Sequence, residues 1–267
     1  MKLQGKTALV TGASRGIGQA IAFELAKHGV KRLLLVARNQ QRLAEIATDL
    51  EALGVEVIPL VVDLTDRVNV NVVISQAWRD YGQIHLLVNC AGVAHQAPFL
   101  QSKLPHIQEE IAINLLGMYT ITRVIARRMV SQREGTIVNV ASLMGKVAAP
   151  TMSTYSATKF AILGFTQALR GELANHNVQV ISLLPTLTDT DMVRDLQLFR
   201  GVVSMSPQRV AQALLRGIEL NKREIIIGWQ SHLAIWGSYL VPRLVERVIQ
   251  IVAPIPNRER FWLRIKG

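Results

Sequence analysis

Seven short runs of mainly aliphatic residues recur along the chain, at Thr7–Val10, Arg32–Ala37, Val55–Val62, Ile84–Asn89, Thr136–Val140, Val178–Leu184 and Glu224–Ile227. Their apolar residues do not alternate with polar ones, the pattern of strands covered on both faces. Between them the apolar spacing becomes helical, over Gly16–His28, Gln40–Leu53, Arg67–Tyr81, Pro105–Ser131, Thr154–Asn175 and Pro207–Leu220. Strands alternating with helices in this way predict βαβ units. The fold class is therefore α/β, a doubly wound parallel sheet of about seven strands flanked by helices.

The rhythm ends near Gly228, so the chain divides into an α/β unit over 1–228 and a C-terminal extension over 229–267. The extension mixes Trp229, Trp236 and Tyr239 with aliphatic and basic residues. Gln230, His232, Pro242, Arg243, Glu246 and Arg247 interrupt it, so it lacks the run of about 20 apolar residues that a spanning helix needs. Two readings stay open. It packs over a cleft or a subunit interface, or it faces a lipid layer, where aromatic, aliphatic and cationic side chains are favoured together.

The net charge of +11 admits a nucleic acid, an anionic membrane surface or a polyanionic small molecule as partner. No zinc-finger spacing, lysine-rich tail or aromatic RNA-binding pattern accompanies it, so we expect no nucleic acid partner. The single cysteine, Cys90, excludes an internal disulfide framework and fits a reducing compartment. The opening MKLQGKTALVTG lacks the apolar core of a signal peptide. We expect a cytoplasmic protein, with peripheral membrane association as the open alternative, and no metal site.

Chemistry enters at Thr11-Gly12-Ala13-Ser14-Arg15-Gly16-Ile17-Gly18, between the first strand and the first helix. Glycines there permit a sharp turn and let backbone amides approach a pyrophosphate, which the helix N-terminus attracts. Tyr155 and Lys159 stand four residues apart on one helix, hence on one face. A nearby ammonium favours the phenolate and would lower the tyrosine pKa from its usual value near 10. Ser142 follows the fifth strand, whose carboxyl end faces the ligand crevice in such sheets.

The glycine order Gly-x-x-x-Gly-x-Gly, with the Ser142, Tyr155 and Lys159 set, resembles the short-chain dehydrogenase/reductase family from about Gly5 to Gly228. The resemblance implies a Rossmann-type fold, with strands ordered 3-2-1-4-5-6-7, that transfers hydride between a nicotinamide cofactor and a carbonyl or alcohol. It implies catalytic roles for Asn114, Ser142, Tyr155 and Lys159, with Asn114 supporting a proton relay through water. Cofactor contacts are implied for Gly12, Ser14, Arg15, Gly16, Ile17, Gly18, Arg38, Asp63, Leu64, Asn89, Ala91, Gly92, Tyr155, Lys159, Pro185, Thr188 and Thr190. Ala37 stands where the family's NAD users carry Asp, and Arg38 follows, with Arg15 in the loop. This matches the pattern for NADP(H), whose 2′-phosphate suits guanidinium donors.

Cys90 replaces the second Asn of the family's NNAG motif, and Thr186 replaces the Gly of its Pro-Gly pair. Residues 191–206 resemble its mobile lid. The apolar lid and extension suggest a lipophilic carbonyl or alcohol as the small-molecule substrate. The family association through the helices after strands four and five implies a homo-oligomer, a dimer or tetramer. The rival from another class is an NADPH-sensing regulatory or scaffold protein without turnover.

Overall fold

The computed structural model describes residues 2–194 and 196–254. Seven parallel strands form one sheet in the order β3-β2-β1-β4-β5-β6-β7. They span Thr7–Thr11 (β1), Arg32–Ala37 (β2), Glu56–Val61 (β3), Leu86–Asn89 (β4), Gly135–Val140 (β5), Val178–Leu184 (β6) and Glu224–Ile226 (β7). Helices α1 (Gly16–Lys27), α2 (Gln40–Glu51), α3 (Arg67–Tyr81), α4 (Leu104–Ile111), α5 (Met118–Gln132) and α6 (Ser153–Leu173) connect them. A short α7 (Asp191–Arg194) and α8 (Pro207–Glu219) lie between β6 and β7. The extension forms α9 (Trp229–Leu240) and α10 (Pro242–Val252).

The uninterrupted aliphatic runs have a direct cause. Successive strand residues point to opposite faces, and both faces are covered. Ala8 and Val10 of β1, with Leu33 and Leu35 of β2, join the core beneath α1, α2 and α8. Leu9, Leu34 and Val36 join the core on the other face, against α3 and α5. Each fully buried Leu contributes about 1.5–3 kcal/mol. Polar caps stop the helices from fraying into the strands. Asn39 accepts a hydrogen bond from the Arg42 amide at 2.9 Å, and Asp66 accepts from Asn69 at 3.0 Å. Ser206 accepts from the Arg209 amide ahead of α8.

Two expectations are corrected. The third strand is not covered on both faces. It lies at the sheet edge with Glu56, Pro59 and Val61 exposed, a position that tolerates a proline lacking an N–H. The stretch Pro105–Ser131 is not one regular helix, because a π-helical turn over Ala112–Gly117 separates α4 from α5. The extra residue of such a turn re-aims the side chains it carries, and Asn114 is one of them.

Strand order reverses between β1 and β4, and the crevice above their carboxyl ends is the place where such sheets bind ligands. Among the described residues, no helix is long and apolar enough to cross a membrane. Residues 255–267, the end of the segment expected to pack over the cleft or to face lipid, lie outside the described residues.

Candidate active site

A cavity of ≈ 920 Å³ opens above the carboxyl ends of the strands. One end is the glycine loop. Gly12 has φ +67°, and a Cβ there would sit 2.8 Å from the Ala91 Cα. A Cβ on Gly18 would sit 2.3 Å from the Gly12 carbonyl oxygen. Loop and helix therefore pack backbone to backbone, and α1 starts at Gly16 with no side chain capping its first amides. That leaves an anion-binding helix terminus facing the cavity. The Thr11 hydroxyl ties this loop to the end of β4, accepting hydrogen bonds from the Cys90 and Ala91 amides, both at 3.0 Å.

Arg15 and Arg38 reach the cavity wall beside Ala37, and no carboxylate replaces Ala37 at the end of β2. Both guanidiniums are about half exposed and stand 3.9 Å from carboxylates, Arg15 from Asp191 and Arg38 from Asp63 and Glu109. Arg42, from the first turn of α2, joins them and pairs with Asp191 at 3.2 Å. The sequence reading missed Arg42. Its signal was available, since a cation four residues beyond Arg38 falls on the first turn of the helix that follows the strand. Asp63 closes the adjoining turn by accepting from the Thr65 amide and hydroxyl, both at 2.8 Å.

Ser142, Tyr155 and Lys159 converge at the other end. Ser142 caps the short turn after β5, its Oγ accepting from the Met144 amide at 3.1 Å. Tyr155 lies in the first turn of α6 and is hydrogen-bonded to the Ser142 side chain. Lys159 is buried, donates to the Val140 carbonyl at 3.0 Å, and holds its ammonium 5.4 Å from the centre of the Tyr155 ring.

The electrostatics differ from the sequence expectation. Burial pushes Tyr155 up to about 12, and the hydrogen bond with Ser142 only partly opposes it. Burial also pulls Lys159 down to about 8. Desolvation disfavours both charged forms and is the largest cause of each shift. Burial likewise pushes the Cys90 thiol up to about 12, so at neutral pH it is no thiolate nucleophile.

Two residues expected in the site stand behind it. Asn89 does not line the cavity; its side chain points into the core, donating to Thr122 Oγ1 at 2.9 Å and Asn139 Oδ1 at 2.8 Å. Strand alternation sends it to the α5 face while Cys90 and Ala91 turn toward the cavity. Asn114 also lies behind the wall. Its amide donates to the Val93 carbonyl at 2.9 Å and Thr158 Oγ1 at 3.1 Å, and Oδ1 accepts from the Val93 amide at 2.8 Å. Those bonds engage the polar atoms of its side chain, which braces the wall. Every other expected cofactor or catalytic residue lines the cavity. Thr186 lies outside the left-handed region, so its backbone does not need the glycine it replaces.

The family model for short chain dehydrogenase matches residues 6–200. The chain is 31% identical over 224 residues to the 3-oxoacyl-(acyl-carrier-protein) reductase FabG of Thermotoga maritima, across 80% of this chain and 91% of that protein. It is 33% identical over 226 residues to 17-beta-hydroxysteroid dehydrogenase 13 of Mus musculus, across 84% of this chain and 74% of that one. A solved short chain dehydrogenase from Burkholderia cenocepacia, in complex with NADP, superposes with a TM-score of 0.82 at 28% identity, over 96% of this chain and all of that one. With its glycine cradle and the arginines beside Ala37, the chain belongs to the short-chain dehydrogenase family, an oxidoreductase acting on CH–OH and C=O groups with NADP(H) as its cofactor.

Proposed function

We propose that this enzyme reduces a lipophilic ketone or aldehyde to the alcohol, and that Ser142, Tyr155 and Lys159 carry the proton chemistry. The observation that carries the reading is the convergence of these three side chains on one cavity that is also lined by the apolar side chains of Met144, Val147, Met192, Leu196, Phe199 and Val202. When bound, the cofactor supplies the hydride. As negative charge develops on the carbonyl oxygen, the Ser142 hydroxyl donates a hydrogen bond to it and Tyr155 Oη delivers the proton. Lys159 holds a positive charge beside the tyrosine, and that charge stabilises the phenolate left behind. Gly12, Gly16 and Gly18 with the start of α1 would hold the pyrophosphate, and Asp63 and Leu64 the adenine end. Lys159, Pro185, Thr188 and Thr190 would hold the nicotinamide end.

Arg15, Arg38 and Arg42 would hold the 2′-phosphate. Charge-assisted hydrogen bonds contribute about 1.5–3 kcal/mol each, less where solvent screens them. Arg38→Ala should therefore raise the NADPH KM about tenfold and leave the NADH KM within about twofold. Initial rates over ketones and aldehydes of graded chain length, with each cofactor, test both this and the substrate class. Rates that do not rise with chain length would count against the lipophilic reading.

The pH profile has a definite sign. Tyr155 stays protonated through neutral pH because its pKa lies far above it, so the donor form does not limit reduction. Lys159 loses its charge as pH rises through about 8. The kcat/KM for reduction should be level below about pH 7 and fall above about pH 8, since this parameter reports the free enzyme. A reduction profile flat from about pH 6 to 9 would remove Lys159 from the proton chemistry.

We also assign α5 and α6 as the surface of a homodimer or tetramer. Phe160 of α6 is exposed there, as is Leu116 in the π-helical turn that leads into α5. Light scattering would measure the assembly. The α9–α10 segment we assign to a lipid layer.

A further inference from the structure

Helices α9 and α10 present their apolar stripes outward. On α9, Trp229, Leu233, Trp236 and Leu240 recur at the spacing of one helix face and are 63–74% exposed, while Ser231 and Ile235 are buried against the body. On α10, Leu244, Val248 and Ile251 form a second exposed stripe. Such an area of contiguous aromatic and aliphatic surface marks a docking face. Among the described residues, α10 also carries two arginines, Arg243 and Arg247, against one acid, Glu246.

The same two helices border the cavity. Gln230 and Ala234 of α9, with Ile249 and Val252 of α10, line its mouth. They are also tied to the segment that covers it. The Gln230 side chain accepts from the Val203 amide at 3.2 Å and donates to the Gly201 carbonyl at 3.2 Å. The Val252 carbonyl accepts from the Arg200 amide at 3.0 Å. Residues 196–203 supply Leu196, Phe199 and Val202 to the apolar wall. Three hydrogen bonds thus join the α9–α10 pair to this segment.

We propose that α9 and α10 seat the enzyme on an anionic phospholipid surface and form the portal through which an apolar carbonyl compound passes from the bilayer beneath the lid into the cavity. This deepens, and rests on, the reading of a lipophilic substrate. Lipid is favoured over a second copy of the chain for two reasons. Tryptophan, tyrosine and aliphatic groups flanked by cations match the layered chemistry of an anionic interface. The apolar face is also continuous with the mouth of the cavity, which a tightly packed protein interface would block.

The test uses the full chain and the double variant Trp236→Glu/Leu244→Glu. Neither residue lines the cavity, and both are exposed, so the fold and the chemistry stay intact. Flotation is measured with phosphatidylcholine vesicles, with and without phosphatidylserine. Reduction is measured with a short water-soluble ketone and with a long-chain ketone embedded in the vesicles. Wild type should float with the anionic vesicles, less so at high salt, and the variant should lose about tenfold or more in binding. Its rate on the embedded ketone should fall by at least about tenfold, with kcat/KM on the soluble ketone unchanged.

Equal flotation of variant and wild type would overturn the proposal, as would wild-type protein that ignores vesicles. A wild-type dimer that the variant splits, with no vesicle binding, would assign the face to a second copy instead. Wild type that floats as expected but reduces neither ketone would support the docking and sink the proposed substrate class.

Discussion

Tyr155→Phe is expected to lower kcat for carbonyl reduction by about 10²–10⁴-fold, the range that a positioned general acid supplies. The ring stays in place at the start of α6 and only the hydroxyl hydrogen-bonded to Ser142 is lost. NADPH affinity, read from quenching of tryptophan fluorescence, should change less than about twofold, because the phosphate cradle lies at the far end of the cavity. That split between unchanged binding and lost turnover separates an enzyme from a protein that only senses the dinucleotide. The sensing role would gain ground if wild type turned over no member of a broad carbonyl panel while still binding NADPH tightly.

Gly18→Val should have the second large effect, and on a different quantity. Its Cβ would lie 2.3 Å from the Gly12 carbonyl oxygen, a backbone atom that cannot swing aside. Helix and loop must separate, which spoils the aim of the amides meant for the pyrophosphate. NADPH affinity should fall by about 100-fold or more, and overpacking of this kind costs about 1–3 kcal/mol of stability. Calorimetric titration and thermal melting read the two effects separately. Gly164→Ala is the control, since a Cβ there meets nothing within 4 Å and α6 would keep its course. Unchanged NADPH binding in Gly18→Val would show that the close approach of loop and helix does not shape the phosphate site.

Most of the strand and helix plan was legible because periodicity is a local property. The switch between continuous aliphatic runs and helical spacing marked every strand of the sheet, and the sheet order agrees with the expected one. The glycine loop was legible for a similar reason, as its demands act within eight consecutive residues. Asn89 shows where this stops. A continuous apolar run does not say which alternate side chains face the cleft, and the side chain of Asn89 joins a buried polar ladder with Asn139 and Thr122. The place of the Asn114 side chain was hidden for a related reason. Helical spacing alone does not reveal a π turn, and the turn together with Val93 and Thr158 decides where its amide goes.

The pKa directions of Tyr155 and Lys159 belong to the same class. Spacing established that they share a helix face, but desolvation by the rest of the cavity sets the sign of each shift.

By itself, then, the sequence determined the α/β class, the glycine loop after β1, the grouping of Ser142, Tyr155 and Lys159, and the cationic character that Arg15 and Arg38 give the end we propose for the 2′-phosphate. Each rests on residues close together in the chain or on the chemistry of a residue type. Only the tertiary structure decided that Arg42 joins those arginines, that Asn89 and Asn114 stand behind the wall, and that α9 and α10 close over the mouth with their apolar stripes turned outward. These depend on which faces of distant segments meet, and that is set by packing across the whole sheet, which no local pattern of residues encodes.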